Sequence, residues 1–156
     1  MQFVFQNSKV TLPNLNSIPL TYTIHRMELT TDYLIIGAGA LGMGFLEEII
    51  VNSSMEAIIV DIRDKPGGHW NDAYSFVRLH QPALTYGLNS RGLGVGGSDP
   101  SSKSQILSHF EMGLADLLET GRVKFLSRCK HVGDGEVQSV LDPTVIYKVE
   151  YKKLFY

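Results

Sequence analysis

Three glycines and one acid carry the most readable chemistry in this chain. The apolar run Tyr33-Leu34-Ile35-Ile36 leads straight into Gly37-Ala38-Gly39-Ala40-Leu41-Gly42, a G-x-G-x-x-G sequence. A second apolar run, Ala57-Ile58-Ile59-Val60, ends in Asp61, about twenty residues after Gly42. Glycines at this spacing suit the close approach of backbone to a diphosphate. Gly37 permits a tight turn out of a strand, Gly39 leaves room for phosphate, and Gly42 lets a helix lie close to a sheet. The N–H groups that open the helix, with their partial positive charge, then face the phosphate oxygens. A carboxylate at the end of the second strand accepts hydrogen bonds from ribose hydroxyls and repels a 2′-phosphate. Arg63, two residues on, weakens that repulsion.

The elements that must position these groups are legible around them. Met43 to Val51 is a helix candidate, with Leu41, Phe45, Leu46, Ile49 and Ile50 spaced for a buried face, and Asn52-Ser53-Ser54 breaks it. Strand, glycine turn, helix, strand and acid follow in the order of one βαβ unit. A second glycine-dense stretch, Gly92-Leu93-Gly94-Val95-Gly96-Gly97, has no strand before it and no helix directly after it, and reads as a mobile surface loop.

Past the acid, the chain reads Asp61-Ile62-Arg63-Asp64-Lys65-Pro66-Gly67-Gly68-His69-Trp70. An acid followed by Gly-Gly-x-Trp resembles the N-terminal FAD-binding segment of two-dinucleotide-domain flavoproteins, most of all flavin-containing monooxygenases and related FAD/NAD(P)-binding oxidoreductases. The resemblance implies that Gly37, Gly39, Gly42 and Asp61 hold the ADP half of FAD. It also implies that Gly67 and Gly68 let the chain pass close to the cofactor, with Trp70 following. Their neighbours Ala40, Leu41, Ile62 and Arg63, and Val132 through its backbone, complete the expected cofactor-binding set. Read without the resemblance, Pro66-Gly67 is also a tight-turn signal and Trp70 also a packing residue. No residue is a convincing catalytic acid, base or nucleophile, and no metal site is expected. His69 and His80 both read as hydrogen-bonded structural histidines.

Composition narrows the remaining classes. The chain has 156 residues, a formal charge of −2 and one cysteine, Cys129. No basic stripe points to nucleic acid, and no apolar run reaches the ~18 residues of a membrane span. A single cysteine excludes an intrachain disulfide or a Cys-x-x-Cys redox centre. Cys129 reads as a small buried hydrophobe in a reducing, cytoplasmic setting. Residues 1–28 read as an N-terminal extension, with organelle targeting through residues 1–26 as the weaker alternative.

Residues 29–156 read as a Rossmann-like domain of the α/β class: a doubly wound parallel sheet, incomplete, with a small antiparallel β-meander. Ser102-Lys103-Ser104-Gln105 is a capping box ahead of a helix carrying Ile106, Leu107, Phe110, Leu114, Leu117 and Leu118, with Gly121 at its end. His109 on this helix reads as a surface residue. Arg122 to Leu126 is the third parallel strand, and Asp134-Gly135 is a hairpin signal within the meander that follows. Residues 72–89 show no clean period. The last strand is expected from Val145 to Lys152, and the chain stops inside or just after it, at Lys152-Lys153-Leu154-Phe155-Tyr156. The domain is therefore expected to be truncated, or else a partner chain or oligomer covers the unfinished sheet. A second glycine fingerprint for NAD(P) is not present.

Three functions remain open. One is an FAD-dependent oxidoreductase, monooxygenase-like, or its N-terminal portion, acting on an unassigned small molecule. The others are a nucleotide-binding module without catalysis and an NAD-dependent dehydrogenase domain.

Overall fold

The computed structural model describes residues 5–11, 21–95, 98 and 100–156. Four strands run parallel in the order β4-β3-β2-β7: β4 (Val123–Leu126), β3 (Ala57–Val60), β2 (Thr21–Ile36) and β7 (Val145–Phe155). From β7 the sheet continues antiparallel through β6 (Glu136–Ser139) to β5 (Cys129–Gly133). Strand β1 (Phe5–Thr11) pairs antiparallel with the first part of β2, from Thr21 to Met27. Strand β2 is thus continuous from Thr21 through residue 28 to the glycine turn. The expected Rossmann-like sheet and the expected meander are both present.

The core follows from the alternation of side chains along β2 and β3. Ile35 and Ile59 point to one face, where helices α1 (Ala40–Asn52) and α2 (Lys103–Glu119) cover them with Met43, Leu46, Ile50, Ile106 and Phe110. Leu34, Ile58 and Val60 point to the other face, where the meander supplies Cys129, Val137 and Val149. The meander is therefore a structural layer. Its last strand, β7, is also the fourth parallel strand, paired with β2 from His25↔Val145 to Ile35↔Phe155.

Helix α2 starts as its sequence requires. The Ser102 Oγ accepts the Gln105 N–H at 3.3 Å, and the Gln105 Oε1 accepts the Ser102 N–H at 2.8 Å. It stops at Gly121, whose φ of +71° suits a glycine. At the end of α1, Arg122 donates to the Ile50 carbonyl at 2.6 Å and the Ser53 carbonyl at 2.7 Å, which satisfies acceptors the helix leaves open.

Three expectations need correction. Leu41 is 73% exposed, because it shares a side of α1 with Glu48 and Asn52; the buried stripe runs through Gly42, Met43, Leu46, Ile49 and Ile50. Leu118, at 38% exposure, also lies off its helix's buried stripe. His109 is buried, not on the surface. Its Nε2 accepts the Leu88 N–H at 2.8 Å, and Gly87 lays bare backbone against the ring, where a Cβ would collide with it. Beside it the buried Glu47 of α1 accepts the N–H groups of Asn89 at 2.6 Å and Ser90 at 3.1 Å, and also the Ser90 hydroxyl. These two polar side chains pin a segment that has no period of its own. Leu93 is buried too, so the glycine-dense stretch is anchored there; Gly96, Gly97 and Asp99 lie outside the described residues.

The His109 contact makes stability depend on pH. Burial first, and the nearby Arg91 charge second, push its ring below the usual histidine pKa. Between that lowered value and about 6.5 the unfolded chain binds a proton that the folded chain does not. This contribution is complete above about pH 6.5 and is lost as pH falls through the folded value. Urea midpoints are expected to fall more steeply below pH 6.5 in the native protein than in His109→Gln, whose amide oxygen can accept the Leu88 N–H without titrating. Parallel profiles would remove His109 from the account.

Candidate nucleotide site

The site is assembled where β2 ends. The Gly37 N–H donates to the Val60 carbonyl at 2.7 Å, and a φ of +98° turns the chain sharply toward α1. The next amide, Ala38 N–H, donates to Asp61 Oδ2 at 2.7 Å, while Arg63 N–H donates to Asp61 Oδ1 at 2.8 Å. Asp61, almost fully buried, thus ties the glycine turn to the end of β3 and to the chain leaving it. Each carboxylate oxygen retains further acceptor capacity.

The glycines do different physical work. A Cβ on Gly42 would overlap the Gly37 carbonyl oxygen and stand 3.1 Å from its carbon, so this position needs glycine for packing alone. Gly39 is the N-cap of α1 in ordinary extended backbone, φ −79° and ψ −174°, with no side-chain cap. A Cβ there would meet only the Gly68 Cα at 3.6 Å, an unstrained contact. The first-turn N–H groups of α1, those of Ala40 and Leu41 among them, have no intrahelical partners.

The double glycine packs against this turn. Gly67 N–H donates to the Ala38 carbonyl at 2.7 Å, and a Cβ on Gly68 would stand 2.9 Å from the Gly39 Cα. Both have positive φ, +112° and +54°. Trp70 follows on a short 3-10 turn, Gly68–Asn71, and is buried in the helix-side core. Its indole N–H donates to the Tyr86 hydroxyl at 2.8 Å.

A cleft of about 260 Å³ opens beside Gly37 and Asp61. Ile36, Val60, Ile62 and Arg63 line it with them, and Cys129, Lys130 and His131 of β5 form the other wall. Burial raises the Cys129 thiol pKa, which keeps it a neutral wall group. His131 is held by a hydrogen bond between its Nδ1 and the Tyr156 hydroxyl. Of the expected set, Gly37, Asp61, Ile62 and Arg63 meet in this cleft; Gly39 to Gly42 form the adjoining turn and helix start, and Gly67 and Gly68 back onto Gly39. Trp70 and Val132 are outside the lining, and Val132 is half-exposed.

The resemblance pointed to the stretch Lys130-His131-Val132 but chose Val132 from it, whereas Lys130 and His131 are the ones that line the cleft; Asp72 carried no signal as a site residue. The Arg63 Nε donates to Asp72 Oδ2 at 3.0 Å, with Nη2 on the same oxygen, while Nη1 lies 3.8 Å from Asp61 Oδ1. The hydrogen bond from Arg63 holds the Asp72 carboxyl below the usual carboxylate range. Among the described residues no cluster of His, Cys, Asp and Glu is placed to hold a metal, and no helix is long and apolar enough to cross a membrane.

No family model matches this chain. Uncharacterized proteins of Mycobacterium tuberculosis and Mycobacterium bovis are 40% identical to it across 72% of its length. The chain spans 23% of the length of these curated relatives. Among solved structures, the flavin-containing monooxygenase from Stenotrophomonas maltophilia superposes with a TM-score of 0.60 at 16% identity, covering 81% of this chain and 37% of that one. The bacillithiol disulfide reductase of Staphylococcus aureus gives 0.58 at 13% identity, over 81% of this chain and 37% of that one. The closed form of cyclohexanone monooxygenase gives 0.53 at 18% identity, over 81% and 25%. The chain has a Rossmann-like fold and shares it with these monooxygenases and this reductase.

Proposed function

We propose that this chain binds FAD through its ADP half, as the N-terminal portion of an FAD-dependent oxidoreductase of the flavin-monooxygenase type. The observation that supports this reading is Gly39. Its backbone angles suit any residue and its missing Cβ would clash with nothing, so the fold itself does not require glycine there. A diphosphate lying against the uncapped first turn of α1 does require it. In this reading Asp61 accepts from the adjoining ribose hydroxyls, and the base lies between the cleft walls, Ile62 on one side and Cys129 to His131 on the other. When bound, the flavin ring would supply the redox chemistry, and this chain's residues supply binding and orientation. Cytoplasmic residence and a small-molecule substrate belong to the same proposal.

Gly39→Ser separates the ligand from the fold. Serine is a strong N-cap whose hydroxyl would accept the amides that a diphosphate uses, so stability should hold or rise by about 0.3 kcal/mol. Affinity for FAD and ADP, measured by titration calorimetry, should fall tenfold or more. If neither ligand binds the native chain, the reading fails. NAD binding tighter than FAD would move the assignment to an NAD-dependent dehydrogenase, and binding without turnover in any longer form would leave a nucleotide-binding module.

A further inference from the structure

We infer that Asp72 sets the nucleotide preference of this cleft by occupying Arg63, so that the site accepts a free ribose 2′-hydroxyl and rejects a 2′-phosphate. The inference rests on the nucleotide reading above. Arg63 lies two residues beyond the ribose acid and lines the same cleft. A planar guanidinium is the side chain best matched to a phosphate, and an arginine near the ribose acid is what accommodates a 2′-phosphate in dinucleotide sites. Taken alone, this position would favour phosphorylated ribose.

The fork is already filled. Its Nε and Nη2 both sit on Asp72 Oδ2, and its Nη1 approaches Asp61. Asp72 comes from the far side of the double-glycine turn, and its own N–H donates to the His69 carbonyl at 3.1 Å, which sets the carboxylate's approach. Two carboxylates on one guanidinium leave the group with a net negative charge. A 2′-phosphate would have to displace Asp72 and then lie between two acids.

The neighbouring charges do not undo this. Arg128 pairs with Asp64 at 3.1 Å. The Lys103 ammonium donates to the carbonyls of Asn71 at 3.0 Å and Ala73 at 2.7 Å. Lys130 stands on the opposite wall and is the same in every variant compared, so it cancels from a ratio of affinities.

The test is a matched pair of ligands, ADP-ribose and 2′-phospho-ADP-ribose, titrated calorimetrically into the full chain. The native protein should prefer ADP-ribose at least tenfold. Asp72→Asn should shift that ratio tenfold or more toward the phosphorylated ligand. Asp72→Glu should restore the native preference, and adding Arg63→Gln to Asp72→Asn should cancel the shift. These are readouts that a merely structural Asp72 would not move. An unchanged ratio in Asp72→Asn with ADP-ribose affinity retained overturns the inference and leaves the nucleotide reading standing. Equal native affinity for both ligands overturns it as well. If the native chain binds neither ligand, the nucleotide reading itself fails, and the inference with it.

Discussion

Gly42→Ala is expected to destabilise the protein by about 3 kcal/mol or more, the upper range for forcing volume into a packed interior. The added methyl would overlap a backbone carbonyl, that of Gly37, which cannot swing aside as a flexible side chain could. Relief requires α1 to lift from the sheet. That move would pull Met43, Leu46 and Ile50 off Ile35 and Ile59. In a domain of this size the loss corresponds to a melting temperature lower by roughly 10 °C. Nucleotide affinity should fall with it, because the first turn of α1 and the glycine bend move together. A melting curve within 2 °C or so of the native one, where surface substitutions fall, would mean that the helix does not lie as closely as described. Gly39→Ser, where an added Cβ meets no steric obstacle, should leave stability intact, so under the proposed nucleotide reading the two substitutions separate stability from binding.

Asp61→Ala is the second large effect. The carboxylate is buried and accepts the Ala38 and Arg63 amides, so its removal leaves two donors without partners. Each such orphan costs about 1–3 kcal/mol. A total near 3 kcal/mol should appear in chemical denaturation. Under the proposed nucleotide reading, binding of ADP should fall further than loss of the ribose contacts alone accounts for, because the acid also holds the glycine bend through the Ala38 N–H. Asp61→Asn should be milder, since its amide oxygen can still accept one N–H. If Asp61→Ala unfolds at the native denaturant concentration, the carboxylate does not hold the turn.

Much of this arrangement was legible because it is local. The glycine turn, α1, β3 and Asp61 follow one another in sequence, and each glycine or acid has a position-specific reason to be there. The capping box at Ser102 and the Asp134-Gly135 hairpin, whose residues both have positive φ, +48° and +74°, are equally local. What was not legible depends on distant partners. Strand β7 reads as the end of a meander until its register with β2 is known, because a strand's run of residues does not say which edge it joins. His109 looked like a surface residue because α2 alone does not reveal that Gly87 arrives to cover it. Asp72 carries no motif at all; only the fold brings it back to Arg63, nine residues earlier in the chain.

The contact between Trp70 and Tyr86 has a practical consequence. Trp70 is the chain's single tryptophan, and it sits two residues beyond the glycine that touches Gly39. Its fluorescence is therefore an intrinsic optical probe of that junction. With no second indole in the background, emission changes during a titration report on the neighbourhood of the glycine turn without any label.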